Sequence, residues 1–357
     1  MISKKILIIY PETYSTKIAV YLNSELVFLK NIKHTDKDFA GFKEVIDQKE
    51  WRRDLIWKQL KENEINVDLI EIVMALSGLI RPLKSGIYEI NDRMIEDLRA
   101  GIMGKHAINL GGLIAADIAD SLGKKAYIAD PVIVDEMDEI AKVTGHPLFQ
   151  KKSIFHALNH KYVARKFARS AHKKYEELNL IILHVGSEGI SVGAHKNGKV
   201  IDVNNAFDGE GPFSISRTGS LPVGDVIKLC FSGKYTEEEL LKLITEEGGY
   251  AAYLGTSDIN EIDKRMLSGD ETAIFYSDAL AYQAAKEIGA MCAVLEGEVD
   301  ALLLSGNIFN SERFIQNITK RVGNIAEINL YPSVNNFEAL MMSGLSIMNG
   351  EAEVLEY

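Results

Sequence analysis

The segment that decides the fold runs His184-Val-Gly-Ser-Glu-Gly-Ile-Ser-Val-Gly-Ala-His-Lys-Asn-Gly-Lys199, Val200-Ile-Asp-Val-Asn-Asn-Ala-Phe-Asp-Gly-Glu-Gly-Pro-Phe-Ser214 and Ile215-Ser-Arg-Thr-Gly-Ser-Leu-Pro222. The apolar run Leu180-Ile-Ile-Leu183 feeds into it as a buried strand. Gly186 and Gly189 mark a tight turn, and Ile190 to His195 reads as a second strand. Asn197-Gly198 is a strong hairpin signal, because both central residues of a type I′ turn need φ > 0. Val200 to Asn204 is the third strand. A glycine turn with exposed backbone N–H groups between buried strands suits a phosphate. Asp208, Arg217 and Gly219 follow, adding a carboxylate, a guanidinium and a flexible backbone position.

The same strand–loop–strand–turn–strand plan occurs at the start of the chain. Ile6 to Tyr10, Lys17 to Leu22 and Glu25 to Leu29 read as strands, with a polar turn at Pro11–Thr16 and a second turn at Asn23-Ser24. Shifting by 174 residues (197 − 23) places Asn23 on Asn197, Leu7 on Ile181 and Val27 on Ile201. The matching turn offset points to an internal duplication. It predicts two α/β halves facing a cleft, one spanning 1–155 and regaining the terminal segment 335–357, the other spanning 156–334.

Helical patterns fall at Gly41–Glu64, His106–Leu122, His156–Leu178, Gly224–Phe231, Thr236–Glu246, Asp258–Leu267, Asp270–Leu295, Ser311–Val322 and Asn336–Met348. Further strands are expected at Ile70–Leu76, Ala126–Ala129, Val299–Leu304 and Ile328–Tyr331. Gly111-Gly112 suggests close approach of another backbone. Asp130-Pro131 puts an acid at a strand end, where α/β folds place ligands. Ser305-Gly306-Asn307, between a strand and a helix, is another anion-site candidate.

Composition limits the classes of function. Net charge is 40 − 51 = −11, which disfavours nucleic acid and anionic membranes as partners. Two cysteines, Cys230 and Cys292, fit a reduced compartment rather than a disulfide framework. The apolar run before Pro11 is too short for a secretory signal, and no run approaches the ~18 residues of a spanning helix. A cytoplasmic protein is expected.

Several motifs extend these readings. They are Asp130-Pro-Val-Ile-Val-Asp-Glu-Met137, Gly145-His-Pro147, Ser153-Ile-Phe-His-Ala-Leu-Asn159, Ile190-Ser-Val-Gly-Ala-His195, Val200-Ile-Asp-Val-Asn-Asn-Ala206 and Asp208-Gly-Glu-Gly-Pro-Phe-Ser214. With them the chain resembles the butyrate kinases, in the acetate-kinase branch of the actin-like ATPase superfamily, nearly end to end. The resemblance implies a duplicated actin-like (ribonuclease H-like) fold. It implies phosphoryl transfer between ATP/ADP and a short-chain carboxylic acid or acyl phosphate with Mg²⁺, and a homodimer or larger homo-oligomer. Carried over to this sequence, His156 would hydrogen-bond the phosphoryl group and Arg217 would bind carboxylate or phosphoryl oxygens. Asp130 would orient Arg217 or the water shell of the metal, and Glu338 would hold Mg²⁺. Ser15 and Lys17 would lie in a first phosphate loop, His184, Gly186 and Gly189 in a second, and Gly306 near the adenosine end.

The chain also departs from the family pattern. Tyr10 and Glu12 replace an Asn and a Gly of the first loop, Leu76 replaces a substrate-binding Arg, and Asn307 replaces a Gly. The second loop carries Glu188 and is one residue longer. Two expectations follow. One is an active butyrate kinase. The other is a catalytically impaired paralogue with a binding, regulatory or assembly role, because added acid beside a phosphate repels it. Arg81 or Lys84 is a possible substitute for the lost Arg.

Overall fold

A computed structural model describes residues 4–186 and 189–357. Glu188, expected to add acid to the second loop, lies outside the described residues. The chain forms two compact units, residues 1–134 with 335–357, and residues 135–334. Strands β1 (Lys5–Glu12), β2 (Ser15–Leu22), β3 (Glu25–Lys33), β4 (Ile70–Ala75), β5 (Ile87–Glu89) and β6 (Lys125–Ala129) belong to the first unit. The second unit holds β7 (Leu180–Gly186), β8 (Gly189–Lys196), β9 (Lys199–Val203), β10 (Ala301–Ser305) and β11 (Ile328–Tyr331). The short β12 (Val354–Leu355) returns to the first unit. The sheet orders are β12-β5-β6-β4-β1-β2-β3 and β11-β10-β7-β8-β9.

The duplication is visible residue by residue. Leu7 pairs with Val20 in the first hairpin, and Ile181 with Ala194 in the second, both pairs 174 apart (181 − 7, 194 − 20). Each second hairpin is bulged at the same place, between Val20 and Tyr21 and between Ala194 and His195. Asn23 and Asn197 turn with φ of 54° and 53°, and Gly198 follows Asn197 at 74°, as a type I′ turn requires. Parallel neighbours match too, Leu7 with Val73 and Ile181 with Leu302. The central strands carry apolar residues on both faces and are buried, as parallel sheets covered by helices must be.

The helices show where pattern and structure differ. Asp258 and Asp270 cap the helices Ile259–Leu267 and Glu271–Val294, accepting from Asn260 N–H and from Thr272 and Ala273 N–H. The helix Asn336–Met348 packs on β1 and β4 of the first unit, capped by Asn335. The helix Ala157–Ser170 packs on β7 and β10. The pattern from Gly41 overreaches: Val45–Gln48 is a 3-10 turn, and the α-helix spans Lys49–Glu62. Segment 135–155 belongs to the second unit, so the boundary falls upstream of 155. It is tied there by Asp138 N–H donating to Ile201 O, Ala206 N–H donating to Ile154 O, and Lys151 pairing with Asp202 at 2.6 Å. Gly111 does meet a backbone, since a Cβ there would lie 2.1 Å from Leu76 O. Both cysteines are free, Cys230 exposed and Cys292 half-buried.

Candidate active site

In the second unit, the adjoining ends of β7 and β8, at Gly186 and Gly189, are enclosed by three side chains. A Cβ on Gly186 would lie 2.7 Å from His156 Nε2 and 3.4 Å from His184 Nε2. A Cβ on Gly189, whose φ is +150°, would lie 2.8 Å from Ala206 O and 3.3 Å from Arg217 Cδ. Both positions therefore need glycine for space, and Gly189 for its backbone as well. His156 stands just before the helix Ala157–Ser170, and its ring centre is 4.7 Å from that of His184. His184 Nδ1 is 2.8 Å from Ser305 Oγ at the end of β10.

Arg217 is buried, 5 % exposed, with Nη1 donating to Phe207 O at 2.7 Å and its guanidinium 5.0 Å from the Phe207 ring centre. Its backbone is pinned by Ser214, whose N–H donates to Arg217 O and whose Oγ accepts from Arg217 N–H. Burial, reinforced by Arg217, pushes the His156 imidazole down to about 4. Burial also holds His184 well below its ordinary value. Both rings are neutral at pH 7, so Arg217 supplies the cation of this cluster. Of the residues assigned from the sequence, His156, His184, Gly186, Gly189 and Arg217 are thus brought together. Gly306 is close by on β10's end, where a Cβ would lie 2.2 Å from Val185 O, so close backbone packing requires this glycine.

In the first unit, the β1–β2 turn is equivalent in register, with Glu12 opposite Ser15 as Gly186 is opposite Gly189. Glu12 is not an uncompensated charge. Its carboxylate accepts from Lys17 Nζ and from Ser15 Oγ, each at 2.6 Å. Lys17 Nζ also lies 5.3 Å from the Tyr10 ring centre, and Tyr10 meets Phe337 edge-on at 6.2 Å. Beneath the turn is Arg52, fully buried, which sequence reading missed. Its guanidinium donates to Glu12 O, Thr13 O and Ser15 O at 2.8–2.9 Å, and to Gln48 Oε1. Burial lowers it to about 10, so it remains a cation under the turn.

Asp130 ends β6 at φ 38°, 2 % exposed, and accepts from Ser85 Oγ at 2.5 Å and Gly86 N–H at 2.9 Å. Glu338 is on the first turn of the helix Asn336–Met348, near enough to Tyr21 to help raise its phenol after burial. Leu76 is buried at 5 %, and Arg81 pairs with Asp97 at 3.1 Å. A single half-buried carboxylate such as Glu338 suits Mg²⁺, which is commonly held by one or two carboxylates plus substrate phosphates.

Two sheets that share a five-strand order, β6-β4-β1-β2-β3 and β11-β10-β7-β8-β9, with matching hairpin register, define a duplicated actin-like ATPase fold. The fold is shared with an acetate kinase from Porphyromonas gingivalis, with a TM-score of 0.74 at 18 % identity, covering 97 % of this chain and 100 % of that one. A propionate kinase from Francisella tularensis subsp. tularensis SCHU S4 superposes with a TM-score of 0.74 at 16 % identity, covering 96 % and 98 %. Residues 146–340 match the model of the acetokinase family. Sequence relatives are closer. Butyrate kinase 2 of Clostridium acetobutylicum is 46 % identical over 353 residues, 99 % of each chain. Butyrate kinase 1 of the same organism is 44 % identical over 353 residues, again 99 % of each. The chain belongs to the butyrate kinase family.

Proposed function

We propose that the chain transfers the γ-phosphoryl group of ATP to the carboxylate of butyrate, and runs the reverse reaction from butyryl phosphate and ADP. The observation that carries this reading is the clustering of His156 and Arg217 with Gly186 and Gly189. Such a reaction depends on positioning and on neutralising phosphoryl oxygens. Arg217 is a fixed fork of donors for the transferring group or the acid, and a neutral His156 adds an N–H donor. The glycine positions let phosphate oxygens approach backbone amides, and at the first turn Ser15 and Lys17, which donate to Glu12, would offer a hydroxyl and an ammonium to phosphate oxygens. Glu338 would hold Mg²⁺, with Asp130 ordering its water shell; Mg²⁺ would neutralise phosphate charge.

The impaired-paralogue reading is not favoured. The relatives named as butyrate kinases match along the whole chain, and Glu12 is compensated by Lys17 and Ser15. A cytosolic homo-oligomer completes the proposal. Among the described residues no helix is long and apolar enough to cross a membrane. Val223, Ile227 and Phe231 are exposed at four-residue spacing, a stripe suited to self-association. Acyl-phosphate trapping with ATP, Mg²⁺ and a panel of C2–C5 acids tests the activity. Butyrate should be the best or near-best substrate, and failure on every acid would remove the kinase assignment.

A further inference from the structure

Two sequence motifs, the one around His156 and the one ending at His195, are joined by side-chain hydrogen bonds. His156 Nδ1 is 2.8 Å from Ser191 Oγ, and the same hydroxyl is 2.9 Å from His160 Nε2. His160 Nδ1 is 3.1 Å from His195 Nε2, and His195 Nδ1 is 2.6 Å from the Tyr175 hydroxyl. Ser191, His160 and His195 are 0 % exposed and Tyr175 is 6 % exposed. Burial is the largest cause holding all three imidazoles below their ordinary range, so each is neutral at pH 7.

A neutral imidazole has one N–H and one lone pair, whereas a serine hydroxyl has one proton and two lone pairs. With every link made, three arrangements remain, because the serine can accept from both sides. In the first, Tyr175 O–H donates to His195 Nδ1, His195 Nε2–H to His160 Nδ1, His160 Nε2–H to Ser191 Oγ, and Ser191 O–H to His156 Nδ1. His156 then carries its proton on Nε2. In the second, every bond is reversed and Nε2 is bare. In the third, His160 Nε2–H and His156 Nδ1–H both donate to Ser191 Oγ, and Nε2 is again bare.

Two observations select the first arrangement. A phenol is a more acidic donor than a neutral imidazole N–H, and the 2.6 Å contact is that of a good O–H donor. At the other end, His156 Nε2 faces Gly186, where an anion needs a donor, which excludes both arrangements that leave Nε2 bare.

We propose that Tyr175, His195, His160 and Ser191 are positioning residues that lock His156 as its Nε2–H tautomer, aimed at the phosphoryl group. The proposal rests on the reading of His156 as a phosphoryl ligand. A bare Nε2 would turn a lone pair toward an anion, and a wrong tautomer in a catalytic His is known to be severely damaging.

The test is ¹⁵N NMR of histidine-labelled protein without substrates, with the His156 signals assigned through their loss in His156→Gln. Wild type should show Nε2 protonated and Nδ1 bare. Tyr175→Phe removes the first donor and should give mixed tautomers at His156. It should lower kcat about 10- to 100-fold, the range for partners that orient a functional imidazole, with KM for ATP changed less than about twofold. Ser191→Ala cuts the last link and should do the same, and adding Tyr175→Phe to it should cost nothing more. An Nδ1–H His156 in wild type, a Tyr175→Phe protein unchanged in both tautomer and kcat, or additive loss in the double variant would each overturn the proposal. The NMR signature needs no turnover. A Tyr175-dependent Nε2–H in a protein without kinase activity would therefore support the relay and count against the kinase reading instead.

Discussion

Gly186→Ala probes the geometry of the second-unit cluster directly. Its φ is not in the left-handed region, so alanine meets no backbone penalty. The cost comes from space. The new Cβ would sit 2.7 Å from His156 Nε2 and 3.2 Å from its Cδ2, where about 3.4 Å is the lower edge of ordinary contact. The ring must therefore give way by about 0.7 Å (3.4 − 2.7). It cannot simply slide back, because Nδ1 is already 2.8 Å from Ser191 Oγ. It has to swing aside and take Nε2 off its aim. A displacement of about 1 Å at a positioning group can cost about 10²-fold in rate, and overpacking costs about 1–3 kcal/mol of stability. Gly289→Ala is the control. Gly289 lies inside the helix Glu271–Val294 with nothing within 4 Å of an added Cβ, so activity should be unchanged and stability equal or slightly higher. The measurement is kcat and KM by acyl-phosphate trapping, with melting curves on the same preparations. A Gly186→Ala enzyme with kcat within twofold of wild type would refute the placement of His156 against the turn.

Three further outcomes are expected. Burial is the largest cause holding His34, His156, His160, His184 and His195 below their usual range. The unfolded chain therefore binds more protons below pH 6.5, and stability present above 6.5 is lost as pH falls toward 4. One unit below 6.5 each neutral histidine costs about 1.4 kcal/mol, so urea midpoints should drop sharply between pH 7.5 and 5.5; equal midpoints would contradict this. Arg52→Met leaves the carbonyls of Glu12, Thr13 and Ser15 without their donor, and should cost about 3–5 kcal/mol by thermal or urea unfolding. Glu12→Gly frees Lys17 and Ser15 and should tighten Mg-ATP binding by about three- to tenfold in calorimetry, the effect of roughly 1 kcal/mol. Unchanged affinity would mean that the first turn does not face the phosphates.

Much of the fold was legible because it depends on local signals. Asn23 and Asn197 fixed both hairpins, and strict apolar runs marked the parallel strands. Asp258 and Asp270 announced two helix starts through their caps. Ile87–Glu89 escaped notice because three residues carry no periodicity. The helix start at Gly41 was misplaced because apolar spacing continues through the 3-10 turn Val45–Gln48. Single site residues such as His156 and Arg217 stood out through their motifs, but what holds them did not. Arg52 is one of two adjacent arginines on its helix, and its carbonyl partners lie 37 to 40 residues away. His160 and His195 are 35 residues apart and meet only because the helix Ala157–Ser170 packs beside the hairpin. Such contacts have no signature in the chain order.

The central claim is phosphoryl transfer to a carboxylate by the cluster of His156 and Arg217 beside Gly186 and Gly189. It is tested most directly by following acyl phosphate formed from butyrate, ATP and Mg²⁺ with wild type, His156→Ala and Arg217→Ala, each checked for folding. Wild type should turn over in the ordinary enzyme range of about 1–10³ s⁻¹, and each variant should fall by about 10²-fold or more in kcat. Folded variants that retain wild-type turnover, or a wild-type protein that binds Mg-ATP and forms no acyl phosphate, would contradict it.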